Sequence, residues 1–342
     1  MADDAIERTT DQEHATDRTT DQAPDWTSDQ APDGAAEHAT GGTTDDEQAP
    51  DQALARELPT EPGRIAIGID VGGSGIKAAA VDVKLGRLVS DRIRVLTPEP
   101  STPAAVIDQI AKLVHRVERA IGRTDVPIGV DFPAVILDGR TMSAANVDPG
   151  WVGYPAAEHL ERALGRRVAL INDADAAGIA EMRFGAGARH QGVVLILTLG
   201  TGVGSALFVD GVLVPNTELG HMEIRGRDAE RRSAAAARIR RGLSWKAWTN
   251  DLDEHLQAID RILWPDLVII GGGVSKNADK FIPRLEVRPP VVPAVLRNEA
   301  GIVGAAMWAM EHAASAAIRP EDAARAEAEA ATEAAGTVEH GA

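Results

Sequence analysis

The sequence predicts an α/β protein of two domains with a cleft between them. Three observations lead there. Apolar runs of strand length alternate with longer stretches of helical periodicity, the order of hairpin strands followed by a crossover helix occurs twice, and glycine-rich turns directly follow three of the apolar runs.

In chain order, residues 65–70 and 76–82 read as paired strands, and 87–95 as a third across a Lys-Leu-Gly-Arg turn. Thr102 then caps a helix with Pro103 at its first position, and Val106, Ile110, Leu113, Val114, Val117 and Ile121 form its apolar stripe. The second unit opens with a strand at 168–171 and a helix running from Ala174 to near Gly185. Strands follow at 193–199, 205–209 and 212–214, the last two joined by the hairpin signal Asp210-Gly211. Residues 244–263 read as helix, 266–270 as a buried strand and 299–310 as a closing helix. The predicted domains are 64–171 together with 300–312, and 172–299. Trp245, Trp248 and Trp264 fall in one helical region and read as packing residues.

The 342 residues include 35 Lys and Arg against 52 Asp and Glu, a formal charge of −17, and no cysteine. A disulfide scaffold, a thiolate nucleophile and a cysteine-ligated zinc site are thereby excluded. The charge is uneven: residues 1–63 carry 17 acidic and 3 basic side chains, residues 313–342 carry 6 and 2, and residues 64–312 carry 29 and 30. The −17 therefore does not bar a polyanionic partner from the nearly neutral core. Residues 1–63 repeat short polar words such as Gln-Ala-Pro-Asp, and the Ala/Glu-rich stretch 313–342 lacks a consistent apolar face, so both ends are expected to be disordered tails. No basic start precedes an apolar run, and no stretch approaches the roughly 20 apolar residues of a membrane span, so a cytoplasmic protein without a membrane partner is expected.

The glycine-rich turns are Asp70-Val71-Gly72-Gly73-Ser74-Gly75 with Lys77, Thr198-Leu199-Gly200-Thr201-Gly202-Val203-Gly204, and Gly271-Gly272-Gly273-Val274-Ser275. Glycine lets backbone N–H groups approach a phosphate, and hydroxyls add donors. Each alone reads equally well as an ordinary tight turn, and none fits the P-loop or the dinucleotide fingerprint. Together, two hairpin-type phosphate loops and a third before a helix match the sugar kinase, Hsp70 and actin superfamily, whose two RNase H-like domains flank a cleft.

Asn172-Asp173-Ala174-Asp175 ends a strand and starts a helix. Phosphoryl transfer to a hydroxyl needs a carboxylate to accept the proton, and Asp173 is the candidate base; taken alone the motif reads first as helix capping by Asn172 and Asp173, a role they can fill at the same time. Glu218-Leu219-Gly220-His221 supplies the planar polar groups that share a sugar's hydroxyls.

With these motifs, and the runs 209–221 and 269–281, the chain resembles the polyphosphate glucokinase branch of the ROK family of sugar kinases over roughly residues 64–310. The resemblance implies that Asp173 is the base acting on the glucose 6-hydroxyl, with Asn172, Glu218, His221 and Glu230 binding glucose. It implies donor phosphates at Asp70, Gly72, Gly73, Ser74, Gly75 and Lys77 and at Thr198, Gly200, Thr201 and Gly202, and the nucleoside of ATP beside Gly271, Gly272 and Gly273. Lys276 and Lys280 are further donor-groove candidates by position. Inorganic polyphosphate and ATP are the expected donors, with Mg²⁺ oriented by Asp70, and the resemblance implies a homodimer, since ROK relatives commonly dimerise.

The chain departs from the wider family where many members carry a cysteine-rich zinc segment; residues 222–229 hold no cysteine, so zinc is not expected. Phe132-Pro133-Ala134 replaces a usual Phe-Pro-Gly, and Ser74 a usual Thr. Seven arginines between Arg225 and Arg241 read either as a solvated helix face or as a polyphosphate track. Family repressors carry a preceding helix-turn-helix, whereas residues 1–63 are acidic and without helical periodicity, so no nucleic-acid partner is expected. An ATP-only hexokinase and a non-catalytic sugar sensor are the alternative functions.

Overall fold

Two sheets, each begun by an antiparallel hairpin and completed by parallel strands, enclose two helices. The computed structural model describes residues 58–59, 61, 63–144 and 147–313, so the expectations for the tails fall outside the described residues except near Arg64. There Leu58, assigned by sequence to the tail, packs against the first core, and Glu61 pairs with Lys84 at 2.8 Å.

The first sheet comprises β1 (Ile65–Gly72), β2 (Gly75–Asp82), β3 (Arg87–Leu88), β4 (Ile93–Val95), β5 (Ile128–Phe132) and β8 (Ala169–Asn172). Its order is β3-β2-β1-β5-β8, with β4 also on β2. β1 runs antiparallel to β2 and parallel to β5, and β5 parallel to β8. The expected third strand is two strands, because the chain leaves the ladder after Leu88 and rejoins it at Ile93. Helical or alternating periodicity does not single out β5, yet it is buried along its whole length between two parallel neighbours, where a strand needs no polar face. α1 (Pro103–Ile121) buries the predicted stripe and ends at Gly122 in the left-handed region (φ 64). Thr102 stands at its N-cap with extended backbone, but its hydroxyl makes no capping bond, contrary to the sequence reading. A small hairpin of β6 (Ile136–Leu137) and β7 (Arg140–Thr141), then α2 (Ala156–Leu164), complete this half.

α3 (Asp173–Phe184) leads away from β8 to the second sheet, of β9 (Val193–Leu199), β10 (Val203–Val209), β11 (Val212–Val214), β14 (Leu267–Gly271) and β15 (Val291–Pro293), ordered β11-β10-β9-β14-β15. Asp210 and Gly211, with φ of 50 and 80, make the predicted hairpin turn. Between β11 and β14 lie the β12 (Glu223–Ile224) and β13 (Arg227–Asp228) hairpin, α4 (Glu230–Ser233), α5 (Ala235–Arg240) and α6 (Trp245–Leu263). Ser244 caps α6 through the Ala247 N–H, and Trp248, Leu252, Leu256 and Ile259 face the core. Trp245 and Trp248 pack with Phe281. Trp264, by contrast, is 66% exposed, ends α6 in the left-handed region and lies under Arg288, so it is not a core residue.

α3 and α7 (Ala300–Ala313) fill the layer between the sheets. Half of α7, seven of its fourteen residues, is Gly or Ala, and the helix lies tight against its neighbours: a Cβ at Gly68 or Gly129 would run into the Ile302 or Ala305 carbonyl, and one at Gly304 into that of Ala176. α3 in turn sets Gly178 against Ala206 and Phe208 of β10. The ends of β1, β5 and β8 and the start of α3 are thus held facing the glycine turns of the second sheet. Among the described residues, no helix is long and apolar enough to cross a membrane.

Candidate active site

The first sheet supplies two aspartates, and the helix that leaves it supplies a third. Asp70 on β1 faces Lys77 of β2 across the hairpin, with Lys77 Nζ 2.6 Å from Asp70 Oδ2, and stands in register with Asp131 of β5. Asp131 is fully buried; its Oδ1 accepts the Val71 N–H at 3.3 Å, while its Oδ2 has no hydrogen-bond partner. Burial, and the charges of Asp70 and Asp173, push its carboxyl well above the usual range. The turn between β1 and β2 exposes Gly73 and Ser74. Arg94 of β4 braces it by donating to the Ser74 carbonyl at 3.3 Å.

Asp173 opens α3, one residue earlier than sequence periodicity places the helix start. Its Oδ1 accepts the Ala174 N–H at 2.8 Å, and no protein group among the described residues bonds its Oδ2. Burial first, then the charge of Asp70, pushes its carboxyl up to about 7. Asn172 caps the helix: its Oδ1 accepts the N–H groups of Ala174 and Asp175, and its Nδ2 donates to the Ala134 carbonyl at 3.0 Å. The capping role is therefore real, and one amide hydrogen of Asn172 is left for a ligand.

The second sheet presents the other two turns. Gly200, Thr201 and Gly202 link β9 to β10, closed by Gly200 N–H donating to the Gly202 carbonyl at 3.0 Å. Glu230 Oε2 accepts the Val203 N–H at 3.0 Å and lies 2.6 Å from where a Cβ of Gly202 would stand, so a side chain there would displace the Glu230 carboxylate. Gly272 has φ 79 and lies against the backbone of Leu199, and the 3-10 segment Gly273–Lys280 follows. Glu218 and His221 flank a short turn, with His221 Nε2 3.8 Å from Glu218 Oε2 and His221 Nδ1 3.4 Å from Asp228 Oδ2 on β13. Burial and the nearby Glu230 raise the Glu218 carboxyl. His221, Asp228 and Glu230 bring ligand-capable atoms within 4.8 Å of one another.

A cavity of about 250 Å³ between the sheets gathers Asp70, Lys77, Asp173, Thr198 and the third glycine turn, while the turns at 72–75 and 200–202 do not line it. Glu218, His221 and Glu230 stand off this cavity, although Glu218 is near enough to raise the Asp173 carboxyl. Lys276 and Lys280 are exposed beyond it, with Lys280 Nζ 5.6 Å from the Trp245 ring. Sequence reading missed Asp131, Glu181 and Asp175. Glu181 is buried and accepts the N–H groups of Ala186, Val295 and Leu296, fixing the loop that brings Arg297 and Asn298 to the cavity. Asp175 is 1% exposed, its Oδ2 accepts the Asn216 N–H at 2.8 Å, and burial raises it to about 7. The signal that could have found Asp131 is a strand-ending acid in parallel register with Asp70. Of the arginine run, Arg225, Arg232 and Arg241 pair with Glu254 or Asp251 of α6, and Arg238 lies 4.0 Å over Trp245, so four of the seven already have partners within the protein. A larger, open groove of about 920 Å³ along α1 holds none of the site's aspartates.

The same combination of sheets, turns and acids has known relatives. The sequence profile of the ROK family matches residues 66–238. The chain belongs to the ROK family. The polyphosphate glucokinase of Mycobacterium tuberculosis (strain ATCC 25618 / H37Rv), a ROK relative, is 49% identical to it over 245 residues, covering 71% of this chain and 91% of the relative. The crystal structure of inorganic polyphosphate/ATP-glucomannokinase from Arthrobacter sp. strain KM superposes with a TM-score of 0.70 at 50% identity, covering 72% of this chain and 99% of that one. A ROK glucokinase from Streptomyces griseus, in complex with glucose and AMPPNP, gives 0.62 at 25% identity, with 72% and 99% covered. This ROK chain thus has the α/β fold of the sugar kinase, Hsp70 and actin superfamily.

Proposed function

We propose that this ROK protein transfers a phosphoryl group from inorganic polyphosphate, and also from ATP, to the 6-hydroxyl of glucose, giving glucose 6-phosphate. The observation that carries the reading is Asp173: a carboxyl with one oxygen free of protein hydrogen bonds, raised to about 7, beside a cavity lined by the third glycine turn, by Thr198 ahead of the second and by the Asp70–Lys77 pair. The glucose O6 proton passes to that oxygen as O6 bonds to the terminal phosphorus. The bridging P–O bond breaks, and the donor leaves one phosphate shorter, or as ADP.

Asn172, Glu218, His221 and Glu230 bind glucose in this reading. The turns at 72–75, 198–202 and 271–273, with Lys77, Lys276 and Lys280, hold the donor. An acid beside phosphate-binding turns and a buried carboxylate oxygen without a partner suit Mg²⁺, which Asp70 would hold and which when bound neutralises charge on the donor. We take residues 64–171 with 300–312, and 172–299, as the two lobes that close on substrate, and a homodimer as the working form. Polyphosphate is favoured as donor because the relatives near 50% identity are named for its use. An ATP-only kinase is the second reading, supported by Gly271–Gly273 and the AMPPNP-bound relative.

The test gives purified protein glucose with polyphosphate or with ATP at matched Mg²⁺ and measures glucose 6-phosphate. Product is expected from both. Product from ATP alone overturns the polyphosphate assignment, and none from either overturns the kinase reading in favour of a sugar sensor.

A further inference from the structure

Asp131 has no part in the reaction just described, yet it is the costliest side chain in the cavity wall. It is 0% exposed, and one of its two carboxylate oxygens makes no hydrogen bond. A buried carboxyl oxygen without a hydrogen-bond partner is unfavourable whether or not the group is ionised, and native structures seldom keep one without a use. The backbone explains half of it, through the Val71 N–H on Oδ1.

What surrounds Oδ2 points to a cation. Parallel register sets Asp70 and Asp131 on neighbouring strands with their side chains on one face of the sheet, so two carboxylates converge at the strand ends. Lys77 is the cation in contact with this group, and its ammonium is already committed to Asp70. Arg297 lines the same cavity but makes no ion pair with any of the three aspartates. Glu181, the remaining acid of the wall, is satisfied by three backbone N–H groups. Asp70, Asp131 and Asp173 thus gather three carboxyls around one lysine, and a divalent cation between Asp70 and Asp131 would favour the ionised form of both.

Space is kept for it as well. Gly301, in the first turn of α7, faces both acids: a Cβ there would stand 2.7 Å from Asp131 Oδ2 and 3.2 Å from Asp70 Cγ. Any side chain would fill the gap between them, and Gly301 has no positive φ that would otherwise call for glycine. Mg²⁺ is commonly held by one or two carboxylates together with substrate phosphates, which fits a pair at the mouth of phosphate-binding turns.

We infer that Asp131 is a metal-holding residue, forming with Asp70 a two-carboxylate seat for the divalent cation that accompanies the donor phosphates. The inference rests on the kinase reading only for the identity of the donor; the seat itself binds cation whether or not phosphoryl transfer occurs.

Mn²⁺ serves as the probe, its free concentration read by electron paramagnetic resonance during titration of the full-length protein without donor, with Mg²⁺ as competitor. Wild type is expected to bind Mn²⁺ displaceably, and Asp131→Asn, which preserves shape and the Val71 contact, to weaken it by about tenfold or more. Unchanged affinity in a folded Asp131→Asn, judged by circular dichroism, overturns the inference, as does absence of Mn²⁺ binding by wild type. Should the variant not fold, anomalous diffraction from wild-type crystals soaked in Mn²⁺ decides: a peak touching both Asp70 and Asp131 is expected, and a peak elsewhere overturns it. The two readings fail separately. Glucose 6-phosphate formation with Mn²⁺ affinity indifferent to Asp131 removes the seat and keeps the kinase, and lost Mn²⁺ binding in the variant of an inactive protein does the reverse.

Discussion

Asp173 concentrates the chemistry of one residue, and its raised carboxyl gives two predictions of known sign. A general base must be ionised to take a proton, so kcat/KM for glucose should climb as pH rises through about 7, in a profile that Asp173→Asn loses along with about 10²- to 10⁴-fold of turnover. Glucose binding, followed by tryptophan fluorescence, should persist in the variant; near-normal turnover would remove Asp173 from its role. The same shift acts on stability. Because the folded state holds this proton more tightly than the unfolded chain, the stability it confers is present below pH 4 and lost as pH rises through about 7. Asp173→Asn should therefore raise the Tm of the ligand-free protein at pH 8 and leave it nearly unchanged at pH 4. A variant less stable at pH 8 would mean that the helix N-terminus, not burial, governs this carboxyl.

At the scale of elements, the loop after β11 is what delivers Glu218 and His221, and its anchor is Asn216. The Asn216 side chain bonds both backbone groups of Ile136 on β6, at 2.9 Å each, while its own N–H donates to Asp175, and its φ is 58. Asn216→Ala gives up two hydrogen bonds and strains the left-handed backbone, so a loss of about 2–4 kcal/mol in urea unfolding is expected, with a higher KM for glucose and little change in that for polyphosphate. Asn216→Gly, which relaxes the backbone alone, should recover only part of the stability. Equal effects on both KM values would show that the loop serves the whole site. What was legible in sequence follows the same division. Strands with a polar turn beside them, β1, β2, β9 and β10, and the striped helices α1 and α6, announce themselves by period and by glycine. β5 does not, since a strand covered on both faces has no alternation, and with β5 went Asp131, whose meaning lies in its neighbour across the sheet. Asp173, Lys77 and the glycine turns were readable because their partners are a few residues away in sequence; Glu181 and Asp175 were not, because theirs lie 114 and 41 residues off.

For the whole molecule, the balance of charge decides how a polyanion meets the site. Residues 64–312 carry 29 acidic and 30 basic side chains, so the protein's −17 comes from its ends. A chain of phosphates approaching the cavity therefore meets a core of no strong sign and two acidic segments, and repulsion from the latter should slow its capture where screening is weakest. The structure sets where a truncation can be made: Leu58 packs on the first core and Glu61 pairs with Lys84 and Arg64, so a cut after residue 57 spares those contacts and removes 16 acidic and 3 basic residues. The truncated protein should show a polyphosphate KM several-fold lower than the full chain at 10 mM salt, where the Debye length is about 30 Å, and the difference should close near 0.15 M, where it is about 8 Å. Glucose, being neutral, supplies the internal control, and its KM should not move at either salt concentration. A polyphosphate KM unaltered by the truncation at low salt would mean that the N-terminal charge does not reach the donor path, and one that changes equally at both concentrations would assign the effect to contact rather than to field.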